Sequence, residues 1–136
     1  MFTEINIIGH LSSNMLERVL PEGLTLSQFG VLNHLVRLGG QWAPARLARA
    51  FQVTKGAMTN TLQRLDAQGY IRILDDSKDG RAKLVEITGK GRKVREQSII
   101  ATGALVAELT EIREGDVRNV LPFLEHVRKV LDAQRG

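Results

Sequence analysis

The sequence predicts a mainly α-helical fold that carries one small two-stranded β-sheet. Most of the 136 residues fall in segments whose apolar positions recur every three or four residues, which is the period of a helix. Two short segments, "YIRIL" and "KLVEIT", instead alternate and are rich in β-branched residues, as strands are. Gly and Pro separate these segments where helices typically begin or end.

Composition limits the classes of protein to which the chain can belong. Its length suits one compact domain, or one domain with helical extensions. The sequence contains no cysteine, which excludes disulfides, thiolate zinc sites, cysteine nucleophiles and sensing by thiol oxidation. No apolar run reaches the ~20 residues of a membrane-spanning helix, and the first residues do not resemble a signal peptide. We therefore expect a cytoplasmic protein with no membrane partner.

The N-terminal part predicts two helices. Residues 3–20 have a wide apolar face, and Pro21 ends this segment. Thr25 is placed to cap the next helix, with Gln28 three residues later completing a capping-box pattern. Gly39 is expected to stop that helix.

A pair of helices joined by a short turn follows. Pro44 occupies the first position of a short helix, "PARLARAF", where its missing N–H costs nothing. Thr54 is expected to cap the second helix of the pair, and Gly69 to close it. The buried stripe of this second helix is predicted to consist of Met58, Leu62 and Leu65.

The remainder predicts a hairpin and two further helices. The segment "DDSKDGRA" joins the two strands as a charged tip. Thr88 is expected to cap a long helix that extends to about Thr110, and a last helix begins within residues 113–116. Pro122 lies inside that last segment, so it should either kink the helix or show that regular helix begins later.

The polar face of the helix after Thr54 indicates a function. It carries small or amide-bearing residues and has no acidic residue before Asp66. A helix-turn-helix places its second helix in the major groove, where Asn and Gln bond adenine and Arg bonds guanine. A following hairpin would form a wing, so the arrangement favours binding to DNA. The alternative is an ordinary amphipathic helix that happens to lack acids.

Charge is distributed unevenly along the chain. Residues 43–93 contain 11 Lys or Arg and 5 Asp or Glu, a net charge of +6, whereas the whole chain carries +4 and the flanks therefore −2. A basic middle segment between mildly acidic ends is typical of a surface that meets a polyanion. Chance clustering on a solvated surface is the alternative.

Three stretches resemble the MarR family of winged helix-turn-helix regulators: "LTLSQFGVLNHL", "ARLARAFQVTKGAMTNTLQRLDAQGYI" and "DSKDGRAKLVEITGKG". The resemblance covers roughly half of the chain. It implies a winged helix-turn-helix core (residues 25–92) flanked by an N-terminal dimerisation helix (1–24) and C-terminal dimerisation helices (93–136). It further implies a homodimer on a pseudo-palindromic operator in double-stranded DNA. Family members are mostly repressors, released by small and often aromatic or anionic effectors that bind between the dimer domain and the DNA domain.

The resemblance also assigns candidate DNA-binding residues. On the wing, Arg81 is expected to enter the minor groove and Asp79 to orient it. Two departures from the family pattern, Gly80 and Ile73, remove positive charge near the DNA and predict weaker phosphate contacts. On the recognition helix and its cap, the candidates are Thr54, Lys55, Gly56, Ala57, Thr59, Asn60, Gln63 and Arg64.

The terminal segments carry more apolar residues than a winged domain of about 70 residues needs to cover its own core, which independently favours a dimer.

The sequence gives little support for a catalytic function. His10, His34 and His126 are far apart in sequence and have no ligand-spaced partners, so we expect no enzyme, no metal and no cofactor other than a possible effector. Two alternatives to a ligand-released repressor stay open: a winged-helix module that binds an acidic protein, and a DNA-binding regulator without small-molecule control.

Overall fold

The computed structural model describes residues 1–78 and 80–134, and this part of the chain forms six α-helices and one two-stranded antiparallel sheet. The predicted mainly α fold with a small β wing is confirmed. The elements in chain order are α1 (Phe2–Glu17), α2 (Leu26–Leu38), α3 (Pro44–Phe51), α4 (Lys55–Ala67), β1 (Ile71–Asp75), β2 (Lys83–Ile87), α5 (Gly89–Ala107) and α6 (Glu114–Ala133).

Helix α1 ends earlier than the sequence pattern predicted. It stops at Glu17, whereas the apolar pattern continues to Leu20. Leu20 is extended (φ −63°, ψ 133°) and buried, and it leads into a single 3-10 turn at Pro21–Gly23. The proline ring disfavours helical backbone in the residue before it, so Leu20 packs into the core from an extended segment.

The predicted caps of α2 and α4 are confirmed. The Gln28 amide N–H donates to Thr25 Oγ1 over 3.2 Å, and the Thr25 N–H donates to Gln28 Oε1 over 3.1 Å, which completes the capping box. The Ala57 N–H likewise donates to Thr54 Oγ1 over 3.1 Å at the start of α4. Each cap satisfies backbone N–H groups that the helix itself leaves unpaired.

The hairpin pairs β1 and β2 in register from Ile71 opposite Ile87 to Asp75 opposite Lys83. On its other edge, β2 forms a bridge to Trp42, which exchanges two backbone hydrogen bonds of 3.0 and 2.8 Å with Val85. The sequence did not predict this bridge. Both backbone polar groups of Val85 are therefore directed to Trp42 and away from β1, and Val85 is fully buried.

Fourteen buried apolar residues form one core inside the winged domain. Helices α2, α3 and α4 supply most of them, the hairpin supplies Ile71 and Val85, and α5 supplies Val94. Tyr70, predicted within the first strand, lies just before β1 and is 3% exposed.

The start of α5 lies unusually close to the end of the α4 segment. A Cβ atom added at Gly91 would be 2.0 Å from the Tyr70 carbonyl oxygen, so only glycine fits there. Thr88 caps α5 as predicted: its Oγ1 accepts from the Gly91 N–H over 3.1 Å and donates to the Gly69 carbonyl over 2.6 Å. The end of α5 at Ala107 falls short of Thr110 by the few residues over which helix ends fray.

Helix α6 begins at Glu114, inside the predicted interval, and continues through Pro122 to Ala133. The alternative in which regular helix begins later is therefore wrong. Two acidic residues in the first turn, Glu114 and Asp116, suit the positive end of the helix dipole.

The chain comprises two compact units, Met1–Ala104 and Leu105–Gly136. Within residues 1–78 and 80–134, no helix is both long enough and apolar enough to cross a membrane.

Candidate nucleic-acid interface

Helix α4 divides its side chains into a buried stripe and an exposed face. Met58, Leu62 and Leu65 form the stripe, as predicted, and none is more than 3% exposed. All eight candidate residues that the sequence indicated on this helix and its cap are exposed, namely Thr54, Lys55, Gly56, Ala57, Thr59, Asn60, Gln63 and Arg64. Substitutions on this face therefore leave the anchoring stripe intact.

The N-terminal end of α4 is suited to an anion. Its first two turns carry Lys55 and no acid, and the first acidic side chain on the helix is Asp66 in the last turn. Unpaired N–H groups and the helix dipole concentrate positive potential at a helix N-terminus. A phosphate group can therefore approach this end of the helix without meeting a carboxylate.

A tight turn fixes α4 relative to α3. Gln52 adopts a left-handed conformation (φ 52°), and the Val53 N–H donates to the Ala48 carbonyl over 3.0 Å. Phe51 packs beneath this turn, and a Cβ added at Gly30 on α2 would be 3.3 Å from its ring. The close packing holds the exposed face of α4 in one orientation.

His34 belongs to an aromatic cluster behind the helix-turn-helix. Its ring centroid lies 4.5 Å from that of Trp42 and 5.3 Å from that of Phe51. Its Nε2 atom is buried and has no hydrogen-bond partner among the described residues. Burial, and then the charges of Arg37 and Arg46, lower the pKa of His34 below its usual value of 6.5. His34 therefore packs among aromatic rings on the core side of α2, with two arginines nearby.

The wing carries two exposed cross-strand ion pairs. Arg72 Nε lies 3.4 Å from Glu86 Oε1, and Lys83 pairs with Asp75 where the strands end. Exposed pairs of this kind contribute little stability, typically about 0–1 kcal/mol. The hairpin end is closed by a hydrogen bond from the Asp76 N–H to the Ala82 carbonyl over 3.0 Å.

Of the two candidate DNA-binding residues on the wing, the structure describes Arg81 and not Asp79. Arg81 is exposed next to the hairpin end, where it can reach beyond the domain. Asp79 lies outside the described residues. Ile73, where the resemblance expects an arginine, is half-buried against the core, whereas its neighbour Arg72 points outward. Arg72 and Ile73 therefore lie on opposite faces of β1, and the exposed face carries the charge.

Exposed cations are found on α4 and on the elements that precede and follow it in the chain. They come from α3, from α4 and from the wing, and comprise Arg46, Arg49, Lys55, Arg64, Lys78 and Arg81. The described residues contain no group of three or more His, Asp or Glu side chains that could hold a metal ion. Exposed cations, together with the exposed amide side chains of α4, are chemically matched to the backbone and major groove of duplex DNA.

Comparison with known proteins gives consistent matches. Residues 22–82 match the model of the MarR family. The transcriptional activatory protein BadR of Rhodopseudomonas palustris is 31% identical over 129 residues, which span 88% of this chain and 72% of BadR. The multiple antibiotic resistance protein MarR of Salmonella typhimurium is 32% identical over 140 residues, which span 96% of this chain and 95% of that protein.

Solved structures agree with the sequence matches. A MarR variant from Escherichia coli in complex with operator DNA superposes with a TM-score of 0.79 at 28% identity, covering 92% of this chain and 91% of that one. The transcriptional regulator BldR from Sulfolobus solfataricus gives a TM-score of 0.82 at 30% identity, covering 97% and 92%. This chain therefore shares the fold of these regulators, including the winged helix-turn-helix, over nearly its whole length.

Proposed function

Because this chain belongs to the MarR family of transcriptional regulators, we propose that it binds a pseudo-palindromic operator as a homodimer and represses transcription there. A regulator of this family is not an enzyme, as the sequence predicted. The observation that carries the proposal is the exposed, acid-free face of α4 above a buried apolar stripe.

The proposed base contacts come from the middle of α4. Asn60 and Gln63 each offer an amide that can bond both N6 and N7 of adenine, and Arg64 suits guanine. Thr59 offers a hydroxyl or a methyl group. The cap and first turn, Thr54–Ala57, are assigned to phosphate and close backbone approach.

The proposed wing contact is Arg81 in the minor groove, oriented by Asp79. A narrow minor groove concentrates negative potential, so an inserted arginine senses groove width more than base identity. The apolar residue at position 73 supports the prediction of fewer phosphate contacts than in a wing with arginine there.

The proposed dimer interface is formed by the terminal helices. These helices expose large apolar side chains that a monomer would leave in water: Phe2, Ile7, Ile8 and Leu11 on α1, and Val117, Val120, Leu121, Phe123, Leu124, Val130 and Leu131 on α6. A groove of about 240 Å³ along α6 is lined almost entirely by apolar residues. Exposed apolar area of this extent is typical of an oligomer interface. The functional division into residues 1–24, 25–92 and 93–136 follows from this assignment.

We further propose that binding of a small effector releases the protein from the operator. We also propose that the protein acts in the cytoplasm, where it has access to DNA. The match to BadR, whose name describes an activator, makes the sign of regulation a direct question for a reporter assay. Repression predicts that deleting the gene raises transcription from the promoter next to the operator.

Selection of bound sequences from random duplex DNA tests the proposal. The winning site should be an imperfect palindrome of roughly two helical turns, because the two recognition helices of a dimer lie ~34–36 Å apart. Asn60→Ala and Gln63→Ala should each weaken binding to that site by about 1–3 kcal/mol and relax the preference at particular base pairs. Gln68→Ala, an exposed amide just beyond α4, is the matched control and should bind as wild type does.

Two results would contradict this assignment. The first is unchanged base preference in both α4 variants. The second is the absence of salt-dependent binding to any duplex, which would favour the alternative of a winged-helix module for an acidic protein partner.

A further inference from the structure

An apolar edge runs along one side of the recognition helix α4. It consists of Val53, Ala57 and Thr61, which are spaced four residues apart and line one cleft of about 160 Å³. The cleft lies between α4, the start of α2 and the end of α3. Its volume is below the ~300–1,000 Å³ typical of small-molecule sites, so it suits a single chemical group rather than a whole ligand.

The threonines at this edge turn their hydroxyl groups toward the backbone of the helix. Thr61 Oγ1 donates to the Ala57 carbonyl over 3.1 Å, and Thr54 Oγ1 accepts from the Ala57 N–H over 3.1 Å. A threonine hydroxyl that is engaged by its own helix leaves the methyl group as the part that a neighbouring molecule meets. The apolar edge therefore presents carbon atoms, although Thr61 is a polar residue type.

A hydrophobic staple accounts for only part of the Val53 side chain. Val53 precedes the cap residue Thr54, and together with Met58 it occupies the two positions of a staple, which fixes the direction in which the chain enters α4. Met58 is 3% exposed, whereas Val53 remains 41% exposed. The rest of the Val53 side chain is thus an exposed apolar surface at the N-terminal end of α4.

The apolar edge borders the face that is proposed to contact base pairs. Asn60 follows Ala57 by three residues, and Arg64 follows Thr61 by three, so each pair is adjacent on the helix surface. A helix-turn-helix directs the N-terminal residues of its second helix at base edges in the major groove. The apolar group that bases present there is the C5 methyl group of thymine, which alanine and threonine methyl groups contact.

We propose that the apolar edge receives the C5 methyl group of a thymine adjoining the base pair that Asn60 contacts. This inference rests on the proposed function, and it adds recognition by carbon atoms to the hydrogen bonds of the amide side chains. It makes Val53, which the family resemblance did not assign to DNA binding, a determinant of sequence specificity together with the Ala57 methyl group. The backbone of the first turn remains assigned to phosphate.

Replacement of thymine by deoxyuridine in a duplex selected from random DNA tests the methyl contact. Deoxyuridine pairs with adenine and keeps O4, so the substitution removes only the methyl group. When thymines are replaced one position at a time, one position in each half-site should weaken binding by about fourfold, the effect of leaving one methyl-sized apolar group in water. That position should adjoin the base pair whose preference relaxes in Asn60→Ala. Fluorescence anisotropy of labelled duplexes measures the affinities.

Substitutions on the apolar edge separate methyl recognition from a structural role. Val53→Ala and Ala57→Ser should each reduce the ratio of affinities for the thymine and uracil duplexes to below about twofold. A purely structural role in the staple would weaken binding to both duplexes equally and leave this ratio unchanged. Leu38→Ala removes an exposed apolar side chain at the end of α2 and should keep the wild-type ratio.

Three results would overturn the methyl contact and leave the proposed function standing. The first is selective binding in which no thymine position distinguishes thymine from uracil. The second is an equal loss at every thymine, which would assign the effect to duplex deformability. The third is a wild-type ratio in both Val53→Ala and Ala57→Ser, which would place the contact elsewhere on the protein. Failure to bind any duplex would instead overturn the proposed function together with this inference.

Discussion

The winged core and the terminal helices use apolar side chains in opposite ways. The core buries fourteen apolar residues, whereas α1 and α6 bury none of theirs. Leu11 on α1 is 61% exposed, and Leu121 on α6 is 48% exposed. Both regions show the same helical period in sequence, so a periodic pattern indicates that a face will be covered without indicating what covers it.

The two regions also differ in how their helices are stabilised. Helix α3 has eight residues, which is too short to be stable alone, and it depends on the burial of Leu47 and Ala48. Helix α6 has twenty residues and two pairs spaced four apart, with Arg118 Nη2 2.6 Å from Glu114 Oε1 and Arg128 Nη1 3.3 Å from Asp132 Oδ2. Local interactions therefore support α6, whereas α3 requires the core.

The largest expected effect comes from emptying a core position. Leu32→Ala removes a side chain that is 0% exposed and should lower the free energy of unfolding by about 2–5 kcal/mol, because a cavity remains. Leu38→Ala, on the same helix but 57% exposed, is the matched control and should change it by less than about 0.5 kcal/mol. Urea unfolding at one protein concentration measures both, and equal losses would abolish the distinction between buried and exposed positions on α2.

The terminal helices should respond to a charge rather than to a cavity. Leu121→Glu places a carboxylate in the proposed interface and should weaken the dimer by about 2 kcal/mol or more, since it lies among the exposed apolar residues of α6. Lys129→Glu introduces the same side chain elsewhere on α6 as a control. Sedimentation equilibrium measures the dissociation constants, and a variant at position 121 that dimerises like wild type would place the interface elsewhere.

Substitutions in the wing should change DNA binding and leave both the free energy of unfolding and dimerisation unchanged. Arg81→Ala should weaken binding to selected and random duplexes alike and lower the slope of log affinity against log salt by about one unit. Arg128→Ala removes the same charge from α6 and should leave the slope unchanged.

Asp79→Ala should also weaken DNA binding, although the loss of a negative charge would by simple electrostatics strengthen it. Tighter binding by that variant, with no effect at Arg81, would make the wing a passive turn.

The smallest effect concerns pH and the cluster around His34. Its pKa is lowered in the folded protein, so the unfolded chain takes up this proton more readily, and stability should fall as pH decreases below about 6.5. His34→Gln should reduce that dependence, whereas His126→Gln on α6 should retain it. The pH dependence of stability is compared through unfolding midpoints measured between pH 5 and 8. Identical pH profiles for the wild type and His34→Gln would show that folding does not disfavour protonation of His34.

The sequence pattern correctly predicted those features that are determined by residues close together in the sequence. The caps at Thr25 and Thr54 need only a side chain and an N–H three residues away, so the pattern sufficed. The exposed face of α4 followed from helical period in the same way. The bridge at Trp42 and the close approach of Gly91 to Tyr70 join segments that are distant in sequence, and a single residue in a bridge has no period to detect.

The bridge at Trp42 has an optical consequence. Trp42 is the one tryptophan of the chain, and its indole lies against the His34 ring, beneath Arg46 at 4.3 Å, with Nε1 donating to the Gly39 carbonyl over 2.8 Å. Its emission consequently reports the packing of α2, α3 and the wing, while the terminal helices contribute no indole. Dissociation of the dimer and melting of the winged core are thereby separable by intrinsic fluorescence, without any attached dye.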